Sequence, residues 1–341
     1  MKVLFISPLG FAINDQTTYA GIERLVWYYS RELNKLGHEV AVFGHTDSVF
    51  SEGIKNYDYK APDSTMAELQ QFRIYQSVIR NYDVIHDFSH LHLTARYMSN
   101  MPTLNLFWHA PILAQYPKAP YNIIALSKYA EREFERVYHY KARYHQSICV
   151  DTSLYKPSSR NRNKRFLSIG RLAQEKGHHN AIEVCKVAGV PLDIIGARGL
   201  EMQNKSYNEY EQSIMSQCDG EKIRFLGDVD DTEKIKRMQV SKALIYATDH
   251  PEVTNHKMQE CMLCGMPAIV SAIGAAPEIV THGVDGFLCY KPKDFLEAVL
   301  NVDKLDCPSN NKNLVERYSI ESVVQSYLSL YEEVANGLRW K

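Results

Sequence analysis

Two positively charged side chains stand five residues apart in a segment that begins and ends with glycine. They are Arg171 and Lys176, within residues 170–177. Arginine offers a planar fork of donors to phosphate oxygens, and lysine offers a compact point charge. Together they could neutralise a diphosphate. A solvated basic loop is the alternative interpretation, and the spacing alone does not decide between the two.

A second segment carries a glutamate at each end, Glu252 and Glu260. At the start of a helix, carboxylates would accept hydrogen bonds from sugar or ribose hydroxyls and interact favourably with the helix dipole. Simple helix capping is the alternative. Thr254, Asn255 and His256 lie between the glutamates. We predict that these three form a loop at the helix start.

Gly21 opens the first long amphipathic segment, which the pattern predicts to be a helix over residues 21–36, ended by Gly37. A glycine at a helix start lets a phosphate approach free backbone amides. Tight packing of a strand against the helix is the alternative. No G-x-G-x-x-G motif is present here, which counts against a nicotinamide-dependent dehydrogenase.

Two further motifs favour structural roles. Asp228 and Asp230 form a D-x-D triplet, a pattern that can hold a metal bound to a nucleotide, but the triplet stands where a helix cap is expected. Cys261 and Cys264 form a C-x-x-C motif without the partners that a zinc site needs. We therefore expect a capped helix, a pair of small buried residues and no metal.

The elements that must position these residues alternate between short apolar runs and amphipathic stretches, the rhythm of βαβ units. In the first half we predict strands at residues 3–7, 39–43, 84–86, 103–107, 123–126 and 147–150. In the second half we predict strands at residues 165–169, 192–195, 223–226, 243–246 and 268–270, with helices at 177–187 and 320–335. The fold class is therefore α/β with doubly wound parallel sheets.

The length of 341 residues suits two domains. A polar, basic stretch at residues 151–165 interrupts the rhythm, so we predict domains at 1–156 and 157–341, with the final helix packing back on the first. We interpret the run of Arg160, Arg162, Lys164 and Arg165 as a solvated linker. The net charge of −1 argues against a nucleic-acid partner.

Seven scattered cysteines are typical of reduced thiols, so a cytoplasmic location is expected. The apolar run at the N-terminus is too short for a secretory signal. No stretch reaches the 18 or more apolar residues of a transmembrane helix, so any membrane contact would be peripheral.

These segments, in this order, resemble the retaining glycosyltransferases of family 4, group 1 glycosyl transferases with the GT-B fold. Supporting matches lie at residues 83–86, 125–128, 150–157, 276–280 and 283–287. The resemblance implies two Rossmann-like domains facing across a cleft, the first binding an acceptor and the second a nucleotide-sugar donor. It also implies hexosyl transfer with retention of the anomeric configuration and without a metal.

The resemblance also implies roles for single residues. Gly21 would meet the donor phosphate, and Arg171 with Lys176 would hold the diphosphate. Glu252 would contact the donor sugar, and Glu260 the ribose hydroxyls. His109 matches the family's active-site histidine, so His109 and Glu252 are the candidate catalytic residues. Thr254, Asn255 and His256 replace the glycine and apolar residues that the family usually has, which puts the identity of the donor in doubt.

The acceptor has no recognisable code and is expected to be a glycan, a lipid-linked molecule or a small molecule. Its site is expected on loops around residues 12–18, 48–61 and 86–97. Two alternatives stay open. One is a nucleotide-sugar epimerase, and the other is a non-catalytic protein that binds a nucleotide sugar or a glycan on the same scaffold.

Overall fold

The structure is a computed structural model that describes residues 1–14, 21–59, 65–108, 120–139, 141–196, 205–305 and 312–340. The chain forms two compact units. The first comprises Met1–Cys149 with Arg317–Lys341, and the second comprises Val150–Glu316. The second unit thus begins before the predicted boundary at residue 156, and the C-terminal segment belongs with the first unit.

The first unit is built on a seven-stranded parallel sheet in the order β3-β2-β1-β4-β5-β6-β7. Its strands are β1 (Lys2–Ile6), β2 (Glu39–His45), β3 (Ile54–Tyr59), β4 (Val84–Asp87), β5 (Thr103–Phe107), β6 (Ile123–Ala125) and β7 (Arg143–Tyr144). Nearly every residue of the central strands is buried, as both faces of a parallel sheet are covered.

The helices of this unit are α1 (Gly21–Lys35), α2 (Thr65–Tyr75), α3 (Leu93–Tyr97) and α4 (Lys128–Tyr138), with a 3₁₀ turn at Ile79–Asn81. The first helix begins and ends within a residue of its prediction. It buries an apolar face that includes Leu25, Val26, Tyr29 and Leu33. Such a stripe at helical spacing packs against the sheet and leaves the polar face to solvent.

Two predictions for the first unit were wrong. Residues 147–150 were expected to form a strand, but the edge strand is β7. The carbonyls of Ser147 and Ile148 instead accept side-chain hydrogen bonds from Tyr29 and Gln146. Residues 48–61 were expected to form a loop, but they include β3, which pairs along its whole length with β2. The alternating polar residues of this edge strand concealed it.

The second unit repeats the arrangement with a six-stranded sheet in the order β10-β9-β8-β11-β12-β13, all parallel. Its strands are β8 (Phe166–Ile169), β9 (Leu192–Ile195), β10 (Ile223–Phe225), β11 (Leu244–Tyr246), β12 (Ala268–Ser271) and β13 (Gly286–Cys289). Five were predicted within one residue at either end, and β13 was missed. In both sheets the order reverses beside the first strand of the unit, the doubly wound pattern of Rossmann-like domains.

The helices of the second unit are α5 (His178–Ala188), α6 (Lys205–Met215), α7 (Asp231–Val240), α8 (His256–Leu263), α9 (Ala276–Ile279) and α10 (Pro292–Asn301). Short 3₁₀ turns lie at Gln174–Lys176 and Val302–Lys304. A buried core that includes Leu172, Ile182, Ile194 and Ile245 packs between sheet and helices. Its burial supplies the main favourable free energy of folding.

The solvated-linker interpretation was wrong for two of its four basic residues. Arg162 donates hydrogen bonds to the carbonyls of Met238, Ser241 and Cys264. Arg165 pairs with the buried carboxylate of Asp193 at 2.6 Å. Only half-buried themselves, both arginines lie against the fold of the second unit. Basic composition did not separate structural arginines from solvated ones.

The chain returns to the first unit through α11 (Lys312–Tyr318) and α12 (Ile320–Ala335). The last helix has the predicted bounds. Its buried face includes Tyr327, whose ring centroid lies 5.3 Å from that of Tyr29, and Tyr331, whose hydroxyl lies 2.9 Å from His86 Nδ1. Across the described residues, no helix is both long and apolar enough to cross a membrane.

Candidate functional site

The candidate site of the second unit lies where its strand order reverses, beside β8 and β11. In doubly wound sheets, ligands bind outside the carboxyl ends of the strands at such a reversal. The loop after β8 contains Arg171 and Lys176, and the loop after β11 contains Glu252 and Asn255. The topology therefore brings Lys176 and Glu252, 76 residues apart in sequence, to one edge of the sheet.

Side-chain contacts join the two loops. Lys176 Nζ donates to Glu252 Oε1 in an ion pair in which the side chains keep 24% and 17% of their surface exposed. Glu252 Oε2 accepts from the Tyr246 hydroxyl at 2.8 Å and from Asn255 Nδ2 at 3.0 Å. Burial, followed by the nearby Glu252 charge, raises the pKa of Tyr246, so this phenol stays a donor. The carboxylate is thus held by three donors.

Two glycines allow the backbones to approach closely. A Cβ on Gly177 would lie 2.3 Å from the carbonyl oxygen of Ala247, and a Cβ on Gly274 would lie 2.5 Å from that of Glu252. Both glycines have positive φ, +69° and +58°, a region that other residues rarely adopt. Ala275 N also donates to the Glu252 carbonyl at 2.9 Å. These contacts hold the loops after β8, β11 and β12 close to one another at the edge of the sheet.

Arg171 is a half-exposed cation whose guanidinium donates to Glu175 at 2.8 Å. A guanidinium has five N–H donors in a planar fork, whose geometry matches phosphate oxygens. Glu175 is also tied to the neighbouring loop, because its carbonyl accepts from Thr248 Oγ1 at 2.6 Å. The loop that carries Arg171 is therefore anchored at both its side chains and its backbone.

His178 is a buried residue of this site that sequence reasoning missed. Its Nε2 lies 3.2 Å from the Gly170 carbonyl and 3.1 Å from that of Arg171, and its Nδ1 lies 2.8 Å from Ser168 Oγ. Burial lowers its pKa to about 4. Since carbonyls only accept, the neutral ring carries its proton on Nε2, and Ser168 donates to Nδ1. His178 thus fixes the backbone before Lys176; its place two residues after that lysine was the only signal.

The segment between the glutamates forms the start of α8. Asn255 is the N-cap, and its side-chain oxygen accepts from Met258 N at 3.0 Å. Thr254 and His256 are half-buried, and His256 is the first helical residue. The alternative interpretation, that the glutamates simply cap the helix, was wrong, because the cap is Asn255.

Glu260 lies inside α8 and is almost wholly buried, at 7% exposure. It accepts from Lys257 Nζ at 3.1 and 3.0 Å. Burial acts to raise the pKa of Glu260, but attraction to Lys257 and Lys234 outweighs it and lowers that pKa. Glu260 therefore stays ionised and apart from the group around Glu252, as a separate candidate acceptor for ribose hydroxyls.

Two other predicted site residues fall elsewhere. Gly21 lies in the first unit, where it is the exposed first residue of α1. His109 lies outside the described residues.

Asp230 is the N-cap of α7 and accepts from Glu233 N at 2.8 Å, so the prediction that this acidic triplet caps a helix is confirmed. Cys261 and Cys264 are buried, as predicted, and both are free thiols. Burial raises the pKa of each thiol.

The reversal point of the first sheet has a different character. Asp87, at the end of β4, is fully buried, and its Oδ1 accepts from the amide and the hydroxyl of Ser89 at 2.9 and 2.6 Å. Burial raises the pKa of Asp87 to about 7. Burial also lowers the pKa of both His86 and His92. His92 is therefore neutral, and the Asp87–His92 contact at 3.7 Å is not an ion pair at neutral pH.

The arrangement in the second unit suits an anionic ligand with hydroxyl groups. Arg171 and Lys176 supply positive charge at the strand ends, and Glu252 supplies a fixed acceptor beside them. Charge-assisted contacts of this kind recognise phosphate oxygens, and carboxylates recognise hydroxyls. Within the described residues, no cluster of three or more metal-ligating side chains occurs.

Comparisons with known proteins agree with this chemistry. Residues 152–319 match the family model of the glycosyl transferases group 1. These matched residues lie almost entirely in the second unit. The chain is 25% identical over 122 residues to the N-acetyl-alpha-D-glucosaminyl L-malate synthase of Bacillus anthracis, covering 33% of this chain and 31% of that protein. It is 27% identical over 138 residues to the D-rhamnosyltransferase WbpZ of Pseudomonas aeruginosa, covering 39% and 34%. The matched regions span about a third of these curated relatives.

Solved structures match the whole chain. Sucrose-phosphate synthase from Thermosynechococcus elongatus has a TM-score of 0.79 at 16% identity, with 99% of this chain and 100% of that chain covered. Anabaena HepE in complex with UDP-glucose has a TM-score of 0.72 at 18% identity, with 99% and 100% covered. Identities this low show the fold alone, which is the GT-B fold with two Rossmann-like domains.

Proposed function

We propose that this protein is a glycosyltransferase that moves a sugar from a nucleotide-diphosphate sugar to an acceptor. The observation that carries the proposal is the joined pair of loops in which Arg171, Lys176 and Glu252 stand at the reversal point of the second sheet. The match of residues 152–319 to the group 1 family supports it. HepE, which has the same fold, is known in complex with UDP-glucose.

In this function, Arg171 and Lys176 bind the donor diphosphate and stabilise the negative charge that grows on it as the bond to the sugar breaks. Glu252 accepts a hydrogen bond from the donor sugar, and Glu260 accepts from the ribose. From the resemblance to family 4, we propose that Gly21 serves the donor phosphate and that His109, which lies outside the described residues, serves the donor sugar. Thr254, Asn255 and His256 line the donor loop.

We propose that transfer retains the anomeric configuration, as in family 4 hexosyltransferases. An inverting enzyme needs a general base that reaches the acceptor hydroxyl. Asp87, the acidic residue at the end of β4, does not suit that role, because it is fully buried and already accepts two hydrogen bonds from Ser89. In the retaining route the departing phosphate itself takes the acceptor's proton, so no such carboxylate is needed.

The reaction is proposed to need neither a cofactor nor a metal, because Arg171 and Lys176 are the groups proposed to bind the diphosphate. The acceptor is a glycan, a lipid-linked molecule or a small molecule bound by the first unit. We propose a cytoplasmic location from the six cysteines of the described segments, all of which are free.

Calorimetric titration with UDP, GDP and ADP, then with their sugar conjugates, tests the proposal. Micromolar binding of one nucleoside diphosphate, followed by transfer to a glycan or lipid-linked acceptor, is the expected result. A change in the sugar of the donor without any acceptor would instead favour an epimerase, and tight binding without hydrolysis or transfer would favour a non-catalytic binding protein. Proton NMR of the first-formed product reads its configuration, and a product inverted relative to the donor would overturn retention.

A further inference from the structure

The carboxylate of Glu252 is nearly saturated with hydrogen bonds. Lys176 Nζ donates to Oε1, and both the Tyr246 hydroxyl and Asn255 Nδ2 donate to Oε2, at 2.8 and 3.0 Å. An ionised carboxylate offers about four acceptor positions, two on each oxygen. With both positions of Oε2 in use, the remaining position is on Oε1.

Asn255 cannot easily turn away from this carboxylate. Its side-chain oxygen accepts from Met258 N at 3.0 Å, as the cap of α8, so its nitrogen must point the other way, toward Glu252. The backbone of Glu252 is equally fixed, since Gly274 packs against it and Ala275 N donates to its carbonyl. The contact between Asn255 and Glu252 therefore joins two groups that are each held independently.

We propose that Asn255 is a specificity-determining residue for the donor sugar. By occupying the second acceptor position of Oε2, it limits Glu252 to one hydroxyl of the sugar, received on Oε1 beside Lys176. A donor whose fit depends on two hydroxyls at this carboxylate is disfavoured, because its second hydroxyl loses its water partner without gaining a protein one. The inference rests on the proposed function and deepens it.

The variant Asn255→Gly tests this directly. Glycine is a good N-cap residue and costs the helix only a few tenths of a kcal/mol relative to asparagine. It removes the amide and leaves the second position of Oε2 to water, which a sugar hydroxyl can displace. Asp230→Gly is the matched control, because it removes a side-chain cap of the same unit, on α7, far in sequence from Glu252.

The readout is calorimetric affinity for UDP and GDP and for epimeric pairs of donors, UDP-glucose with UDP-galactose and UDP-N-acetylglucosamine with UDP-N-acetylgalactosamine. In Asn255→Gly we expect nucleoside diphosphate affinity within about twofold of wild type. Within the pair that the protein binds, the preference for the better epimer over the poorer one should fall by about tenfold. The reason is that a hydrogen bond to a charged acceptor becomes available to the poorer epimer. Asp230→Gly should leave that ratio unchanged.

A second variant, Asn255→Asp, keeps the cap and the shape but faces Glu252 with another carboxylate. The like charges should raise the pKa of the pair. The affinity for the sugar donor relative to wild type at the same pH should then depend on pH between about 5 and 8, whereas the same ratio for the nucleoside diphosphate should not.

The outcomes separate the two proposals. If nucleotide sugars bind but Asn255→Gly leaves the epimer ratio unchanged, or Asp230→Gly shifts it equally, the role of Asn255 is refuted while the proposed function stands. If neither nucleoside diphosphates nor their sugars bind the wild-type protein, the proposed function fails and this inference fails with it.

Discussion

The two sheets have the same strand order around their reversal points, but the residues there differ in exposure and charge. At the second reversal point the side chains of Arg171, Lys176 and Glu252 keep 31%, 24% and 17% of their surface exposed. At the first, His86 and Asp87 on β4 have none of their surface exposed. The same strand order therefore places partly exposed charged side chains in one unit and fully buried polar side chains in the other.

The difference extends to protonation. Burial pushes His86, His92 and Asp87 toward their neutral forms, whereas Asn255 and Tyr246 add hydrogen bonds to the Glu252 carboxylate. A topological reversal thus provides a location, but the side chains decide whether it serves packing or ligand binding. Each prediction below changes one side of this comparison.

The largest effect is expected at Asp87. Its pKa is raised to about 7 in the folded protein from an ordinary value of 3.8, so the folded state binds this proton more tightly than the unfolded state. The resulting stabilisation is complete below pH 4 and is lost as the pH rises to 7. At 1.36 kcal/mol per unit, the loss approaches roughly 4 kcal/mol.

The variant Asp87→Asn keeps the oxygen that accepts from Ser89 and removes the titration. Its unfolding free energy relative to wild type should therefore rise between pH 5 and pH 8, as measured by urea denaturation. Because His86 and His92 remain in both proteins, their titration cancels in the difference. An equal difference at both pH values would mean that Asp87 is not buried as a neutral acid.

A smaller effect is expected at His178, on the charged side of the comparison. His178→Leu removes the ring that binds the carbonyls of Gly170 and Arg171. Leaving buried acceptors without donors costs about 1–3 kcal/mol of stability. Because Arg171 loses its backbone anchor, affinity for UDP or another bound nucleoside diphosphate should fall several-fold. The control is His179→Leu, at the half-buried neighbour whose ring bonds Tyr210 instead; equal losses of affinity in both variants would remove the positioning role of His178.

The smallest effect is expected from metal removal. Asp230 is occupied as the cap of α7, so a chelator should leave the transfer rate within about twofold, and Asp230→Asn, which preserves the cap, should do the same. Loss of activity with chelator, restored by magnesium or manganese, would contradict metal-independent transfer and make the acidic triplet a candidate metal site.

Sequence patterns predicted the fold closely where hydrophobic spacing was strong. The buried strands of both sheets and α12 have almost the predicted bounds, because apolar runs and a clear helical period specify them. The edge strand β3 was missed, since its polar alternation is also typical of a loop. The raised pKa of Asp87 could not be predicted, because it depends on burial by residues distant in sequence.

The site was only partly predictable. Arg171, Lys176 and Glu252 could be found from residue types and from resemblance. The contacts of Glu252 with Lys176, Tyr246 and Asn255 required the three-dimensional arrangement. His178 could not be found in advance, because a single histidine in a helix is more often structural, and here it acts through backbone carbonyls. Charge and spacing identify candidate ligand contacts, but not the residues that hold them in place.

The central claim is that the charged reversal point of the second unit binds the diphosphate of a nucleotide-sugar donor. Calorimetric titration of the double variant Arg171→Ala/Lys176→Ala with the preferred nucleoside diphosphate, beside wild type and the exposed control Lys186→Ala, tests it most directly. Charge-assisted contacts of about 1.5–3 kcal/mol each predict at least a hundredfold weaker binding in the double variant and unchanged binding in the control. Equal affinity in all three proteins would contradict the claim.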